Sequence, residues 1–196
     1  MKKFKGSVIA AVACTVLFAA SAPDALAQYK ETEQENGVVL WEGSAEGEPA
    51  GSIVDVAIAL NTEGTFAGQF DTLIAAVLAA DPIVVNSLSG PGQFTVFAPT
   101  DAAFLELGLD ENNVGTLGPS LLRQILFYHV VPGTWSSSVI LGAVKIRTAY
   151  RGGILLQNGG VLTDNVGRNA TIIATDVPAD NGVIHGIDRV VLPFVP

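Results

Sequence analysis

Two histidines, His129 and His185, and one cysteine, Cys14, are the side chains of this 196-residue chain best suited to metal or nucleophilic chemistry. No His-Glu-x-x-His pattern joins the histidines, so a zinc site on one helix face is excluded. A hydrolase needs a nucleophile with a base in reach. Leu88-Ser89-Gly90 lacks the first glycine of a Gly-x-Ser-x-Gly elbow. Gly64, Gly68, Gly90 and Gly92 are not followed by the Gly-Lys-Ser/Thr of a phosphate loop. Asp110-Glu111-Asn112-Asn113-Val114-Gly115 starts like a calcium loop, but Val114 stands where an oxygen ligand is needed and Leu121 where the closing Glu belongs. It reads as a polar turn. The residues predict no catalysis, no bound metal and no cofactor.

The charge balance removes further classes. There are 19 acids against 10 bases, a formal charge of -9, and 49% of residues are apolar. Nucleic acid and anionic membrane surfaces call for clustered Lys and Arg, so neither is an expected partner. Lys2, Lys3 and Lys5 precede the apolar run Val8–Ala20, and Ala25-Leu26-Ala27 follows a polar stretch. That order predicts a secretory leader over 1–27, cleaved after Ala27, and the apolar run is too short to span a bilayer. Cleavage removes the cysteine and leaves 18 acids against 7 bases. No second long apolar run follows, so an integral membrane protein is not expected. Asn169-Ala170-Thr171 is a glycosylation sequon, relevant only in a host with that pathway.

These side chains need elements to hold them. Residues 28–51 are acidic and mostly non-periodic, and read as a solvated arm in which only Val38–Trp41 could form a strand. From Ser52 onward Ile53, Val56, Ala57 and Leu60 recur at helical spacing, with Ser52 as N-cap. Further helices are expected over Gln69–Ala80, from Asp81-Pro82 to Ser89, after Thr100, and from Pro119 to His129. Phe94–Ala98 is a strand candidate. Beyond Pro132 the period becomes two, predicting strands at Val144–Tyr150, Ile154–Gln157, Gly160–Thr163, Ala170–Val177 and Ile187–Leu192, with Asn158-Gly159 and Asn181-Gly182 as turns. A helix-rich first half and a strand-rich second half predict an α+β fold without βαβ alternation. Charge divides the same way: residues 28–127 carry 14 acids and 2 bases, residues 128–196 carry 4 acids and 5 bases.

Three segments resemble the fasciclin domain: Thr95–Phe104, Tyr128-His129-Val130-Val131-Pro132-Gly133, and Asn181–Pro193. Their order and register cover roughly 52–193. The resemblance implies a β-sheet wedge flanked by several α-helices, and a secreted or surface module of adhesion and matrix contacts that is not an enzyme. Gly186 stands where the family has a larger apolar residue, and the loop after the first motif is short. The division is then leader 1–27, arm 28–51 and fasciclin-like domain 52–196.

The residues themselves give these motifs a mainly structural role. Phe97 and Phe104 bracket a strand–turn–helix corner, Pro99 fixes its bend, Thr100 caps the helix, and Asp101 adds charge at that N-terminus. His129, on the apolar face of its helix, reads first as a buried histidine bonded to a carbonyl or an acid; His185 reads the same way. Tyr128 and His129 are the candidate partner-binding residues. The expected function is cell adhesion or contact with an extracellular protein or polysaccharide surface. The second reading is a carrier of an apolar small molecule, a pigment or lipid, in a groove near Trp135, Val139, Ile140 and Tyr150.

Overall fold

The computed structural model describes residues 29–33, 39–43, 51–62 and 64–195. The expected leader and cleavage site lie outside the described residues, as does most of the expected arm. Six helices are described: α1 (Ile53–Thr62), α2 (Asp71–Ala79), α3 (Ile83–Ser89), α4 (Asp101–Leu105), α5 (Pro119–Tyr128) and α6 (Ser137–Gly142). The strands are β1 (Tyr29–Glu33), β2 (Val39–Gly43), β3 (Phe94–Pro99), β4 (Val130–Pro132), β5 (Lys145–Arg147), β6 (Ile154–Asn158), β7 (Val161–Thr163), β8 (Asn169–Ala179) and β9 (Gly182–Ile187). Helices precede most strands, as the change of period predicts. Among the described residues no single helix is long and apolar enough to cross a membrane.

The sheet runs β4-β3-β9-β8-β7-β6-β5. Within it β8 is shared. Asn169–Thr171 pairs with β7, while Ile172–Ala179 pairs with β9 and shifts register twice on the way. These irregularities let one strand leave the β5–β7 ladder and enter the β9–β3–β4 ladder, because each bulge adds local twist and bend. The expected strand near Val38–Trp41 is present as β2, parallel to β8 at Val39↔Ala174. Beyond that expectation, Tyr29–Glu33 pairs with it as β1.

Each helix start has a local cause. Ser52 N–H and Oγ both donate to Asp55 Oδ2, at 2.9 and 2.7 Å, opening α1. Asp81 Oδ1 accepts from Ile83 N at 3.1 Å at the start of α3. Pro119 begins α5, where a missing N–H costs nothing. Asp101 stands in the first turn of α4, as expected, and serves a second helix as well. Its carboxylate caps α2, accepting from Asp71 N at 3.3 Å and Thr72 N at 2.8 Å. Thr100 occupies the cap position of α4 with extended backbone, but its side chain makes no capping bond.

Two cores share β3. Val96 and Ala98 face a core built with α1–α5, where Phe104 also lies. Phe97 faces the second core with Tyr128, Ile146, Leu155 and Leu162, enclosed by the strands of both ladders. Asn181 joins them to the helices. Its Oδ1 accepts from Ile53 N at 2.8 Å, and its Nδ2 donates to Leu88 O at 2.6 Å and Gly90 O at 3.1 Å. The expected strand over Ile187–Leu192 is misplaced. β9 ends at Ile187, and the buried run Val190–Leu192 carries no ladder. Its apolar character comes from burial, while side chains take over its backbone donors. β4 and α6 were not expected, because both are too short to show a period.

Phe97→Ala and Phe104→Ala should each lower unfolding free energy by ~3–5 kcal/mol through cavity formation in separate cores. Asn181→Ala should cost about 3 kcal/mol by leaving buried backbone groups unpaired. Urea denaturation checks all three, and a loss below about 0.5 kcal/mol would place the residue outside the core scaffold.

Candidate functional site

Two neighbouring regions carry the distinctive chemistry: a buried polar corner and an apolar cleft. The corner begins where α5 ends. Tyr128 is fully buried, and its hydroxyl donates to Ile154 O at 2.7 Å and accepts from Asn165 N at 2.9 Å. Burial pushes its pKa up to about 12; the Asp164 charge adds to this and the Asn165 N–H opposes it. His129 is 3% exposed. Its Nδ1 lies 2.8 Å from Ile125 O, and its Nε2 accepts from Val191 N at 3.2 Å. These partners assign the ring proton to Nδ1. Burial lowers the His129 pKa to about 4, outweighing the Ile125 carbonyl and the Asp164 charge.

Asp164 completes the corner. Its Oδ1 accepts from Val166 N at 2.9 Å and Arg168 N at 2.8 Å, and its Oδ2 accepts from Leu192 N at 2.9 Å. Three polar side chains therefore tie α5 to the 164–168 turn and to the segment after β9. His185 uses the opposite tautomer: its Nε2 faces Trp135 O at 2.9 Å and its Nδ1 accepts from Asp176 N at 3.2 Å. Burial lowers its pKa as well. Both rings are engaged by backbone groups, so neither offers a free base. Tyr128 and His129 lie together but inside the molecule. Asp110 holds a polar turn, accepting from Asn112 N and Asn113 N at 2.9 Å each.

The cleft lies between α1 and α2, over β3 and α5. Ile53, Ala57, Leu73, Val77, Leu126 and Val130 line it, and His129 sits in its floor. Its volume is about 90 Å³. Ile58, 45% exposed, and Leu78, 74% exposed, stand at its lips. The groove expected near Trp135, Val139, Ile140 and Tyr150 is distinct from this cleft; a separate recess of about 340 Å³ lies there between α6 and the sheet, with Ile140, Leu141 and Ile172 in its lining. Ile140 is buried in the second core, Trp135 and Tyr150 pack against it, and Val139 is exposed. The missed signal was excess apolarity: Val54 and Ile58 on α1, and Ile74 and Leu78 on α2, extend each stripe beyond what the core consumes.

The three motif segments converge around this corner, as β3 with α4, the end of α5 with β4, and β9 with the run after it. A sequence profile described as the fasciclin domain matches residues 68–193. The chain belongs to the fasciclin family. It is similar to Protein sll1483 of Synechocystis sp., 38% identical over 93% of this chain and 95% of that one. It also resembles the immunogenic protein MPB70 of Mycobacterium bovis, at 36% identity over 56% of this chain and 54% of that protein. A solved FAS1 domain pair from the insect cell adhesion molecule Fasciclin I aligns with TM-score 0.47 and 22% identity, over 59% of this chain and 42% of that chain. In this fasciclin domain Gly186 answers a local requirement. A Cβ there would stand 3.1 Å from Ala174 Cβ, where β8 shifts register against β9.

The buried histidines set a pH dependence. For His129 the folded pKa, about 4, lies below the roughly 6.5 of a free imidazole, so the unfolded chain takes up a proton that the fold excludes. That stability is present above about pH 6.5 and declines as pH falls toward 4. A shift of this size is worth roughly 3 kcal/mol. The wild type should lose stability more steeply between pH 7 and 4 than His129→Gln does, as measured by urea unfolding at each pH. Parallel curves would show that His129 takes no part.

Proposed function

We propose that this protein is a secreted, non-enzymatic fasciclin module for cell adhesion or extracellular-surface contact. Its leader 1–27 is removed after Ala27, and an acidic arm, 28–51, precedes the domain at 52–196. Family membership supports the adhesion class. The observation that carries the mode of contact is the α1–α2 cleft, with apolar walls and exposed lips at Ile58 and Leu78. Exposed apolar groups grouped around a recess mark an interaction site more than the same residues scattered singly. The cleft's 90 Å³ is smaller than the ~150 Å³ apolar cavity that takes up benzene, so it suits one inserted side chain of a protein partner.

Tyr128 and His129 enter this proposal as positioning residues. His129 lines the cleft floor and Tyr128 fixes the end of α5 beside it. The second reading, a carrier for an apolar small molecule, draws on the carbon-rich lining of the same cleft. A pigment or lipid needs more room than this cleft gives, and the recess of about 340 Å³ beside α6, with Ile140, Leu141 and Ile172 in its lining, offers more.

Ile58→Ser/Leu78→Ser should weaken attachment of the mature protein to its target cells or matrix at least tenfold. Each apolar anchor buried in a contact is worth about 1.5–3 kcal/mol, and both positions are exposed enough to leave thermal stability nearly unchanged. Equal attachment by the double variant would sink the cleft as the contact. Organic extraction of native protein followed by mass spectrometry addresses the carrier reading: a stoichiometric apolar compound would establish it in place of protein docking.

A further inference from the structure

A second surface, sharing no residue with the cleft, is built by β5, β6, β7 and the start of β8. Alternation along these strands sends Ile146, Leu155, Leu162 and Ala170 inward. The opposite face carries the cross-strand row Lys145–Leu156–Thr163–Asn169, each residue the registered partner of the next. Arg147 follows two residues along β5, paired with Ile154. Arg151 and Arg168 stand in the turns after β5 and β7, and those two turns lie at the same end of the ladder. Lys145, Arg147 and Arg151 are exposed and Arg168 is half-buried.

The charge of this face is opposite to that of the rest of the chain. Residues 137–172 hold four bases and one acid, whereas the remainder of 28–196 holds 17 acids and 3 bases. The single acid, Asp164, is buried and its carboxylate is used by three backbone N–H groups. Asp188 at the border accepts from Thr171 N. The ion pairs among the described residues, Arg123–Asp81 and Arg189–Glu106, involve none of the four cations. Three strand spacings of about 4.8 Å set β5 from β8, so the cations span roughly 15 Å. Lys145 and Arg147 on edge strand β5 also discourage edge-to-edge pairing. That role does not account for Arg151 and Arg168, which sit in turns.

We infer that this face docks an anionic polysaccharide, carboxylated or sulfated, as the extracellular surface of the adhesion reading. The inference rests on that reading for its setting only. Four like charges with no ion pair among the described residues repel one another, and a polyanion laid across the strands relieves the repulsion while hydroxyl and amide groups of Thr163, Asn158, Asn169 and Thr171 meet its sugar hydroxyls. A single-stranded nucleic acid would call for stacking aromatics, and the row offers none. An anionic lipid surface would attract the same cations, and tighter binding to anionic vesicles than to the polyanions is the result that would identify it. The attraction is local: beyond a Debye length of about 8 Å the acidic remainder is screened, and the cations meet the polymer at contact.

The test is retention of the mature protein on immobilised polygalacturonate and on dextran sulfate, with neutral dextran and phosphatidylcholine vesicles containing phosphatidylserine as the other arms. Wild type should be retained on both polyanions at low salt and released by about 0.5 M NaCl. Lys145→Gln/Arg147→Gln/Arg151→Gln should bind at least tenfold more weakly with unchanged melting temperature. Arg123→Gln, whose partner is Asp81, should bind as wild type. Ile58→Ser/Leu78→Ser should also keep polyanion binding, which separates failure here from failure of the cleft. No retention, equal retention of the triple variant, equal binding to neutral dextran, or tighter binding to the anionic vesicles would each overturn the proposal.

Discussion

The parallel contact between β3 and β9 is the constraint on which the rest depends. Phe94 to Pro99 pairs with Gly182 to Ile187 over six consecutive positions without a slip. Strands that pair in parallel cannot be joined by a tight turn, and here the connection contains α4, α5 and the whole β4–β8 excursion. At the start of the register the two backbones come so close that a Cβ on Gly182 would collide with the Phe94 carbonyl oxygen. Asn181, one residue earlier, then bonds to α1 and to the end of α3. The ladder thus places its own helices. A one-residue slip would exchange Phe97 for its neighbours and move it from the second core into the first.

Polar residues inside the wedge follow from the same geometry. When β9 ends at Ile187 the chain surfaces at Arg189 and is buried again over Val190–Leu192, so the N–H groups of that run need partners that no strand supplies. His129 Nε2 and Asp164 Oδ2 supply them at Val191 and Leu192. A lysine or serine could not replace His129 there, because the site needs a donor toward Ile125 and an acceptor toward Val191 at opposite ends of a rigid ring. Neutrality is a condition of this role: a protonated imidazole has no lone pair for Val191. The tyrosine–histidine segment is therefore a device for closing a helix onto two loops.

Exposure and burial decide which parts of this fold are legible in the amino-acid sequence. Periodic stretches such as Pro119–Tyr128 and Ile154–Asn158 expose one face to solvent, and their alternation writes the element into the sequence. The motif residues Phe97, Phe104, His129 and His185 are legible as scaffold because large or polar groups on apolar faces need burial or partners. Val190–Leu192 misleads, since an apolar run looks the same whether a ladder or side chains satisfy its backbone. Asp101 is legible only in part: its place at the start of α4 follows from the sequence, whereas its capping of α2 depends on what the fold brings to it. The cleft escapes notice because α1 and α2 are apolar nearly all round, and such helices read as fully buried when one flank faces a recess.

The two surfaces differ in the physics of their attraction, and the chain keeps them apart. In the proposed contact the cleft would work by removing carbon from water, a short-range effect that added salt does not screen. The cation-bearing sheet face would work by Coulomb attraction, which salt weakens within ångströms of contact. An acidic remainder keeps the module from adhering to polyanions in arbitrary orientation, since only one face offers positive charge. A partner presenting both an anionic polymer and an apolar side chain would then be held at two points. Engagement of the first raises the local concentration for the second, so weak contacts multiply without either becoming strong. Adhesion built in this way needs no catalytic group and no bound ion; it needs a rigid body that fixes the separation of its two surfaces, and the β3–β9 ladder with its buried histidines provides that body.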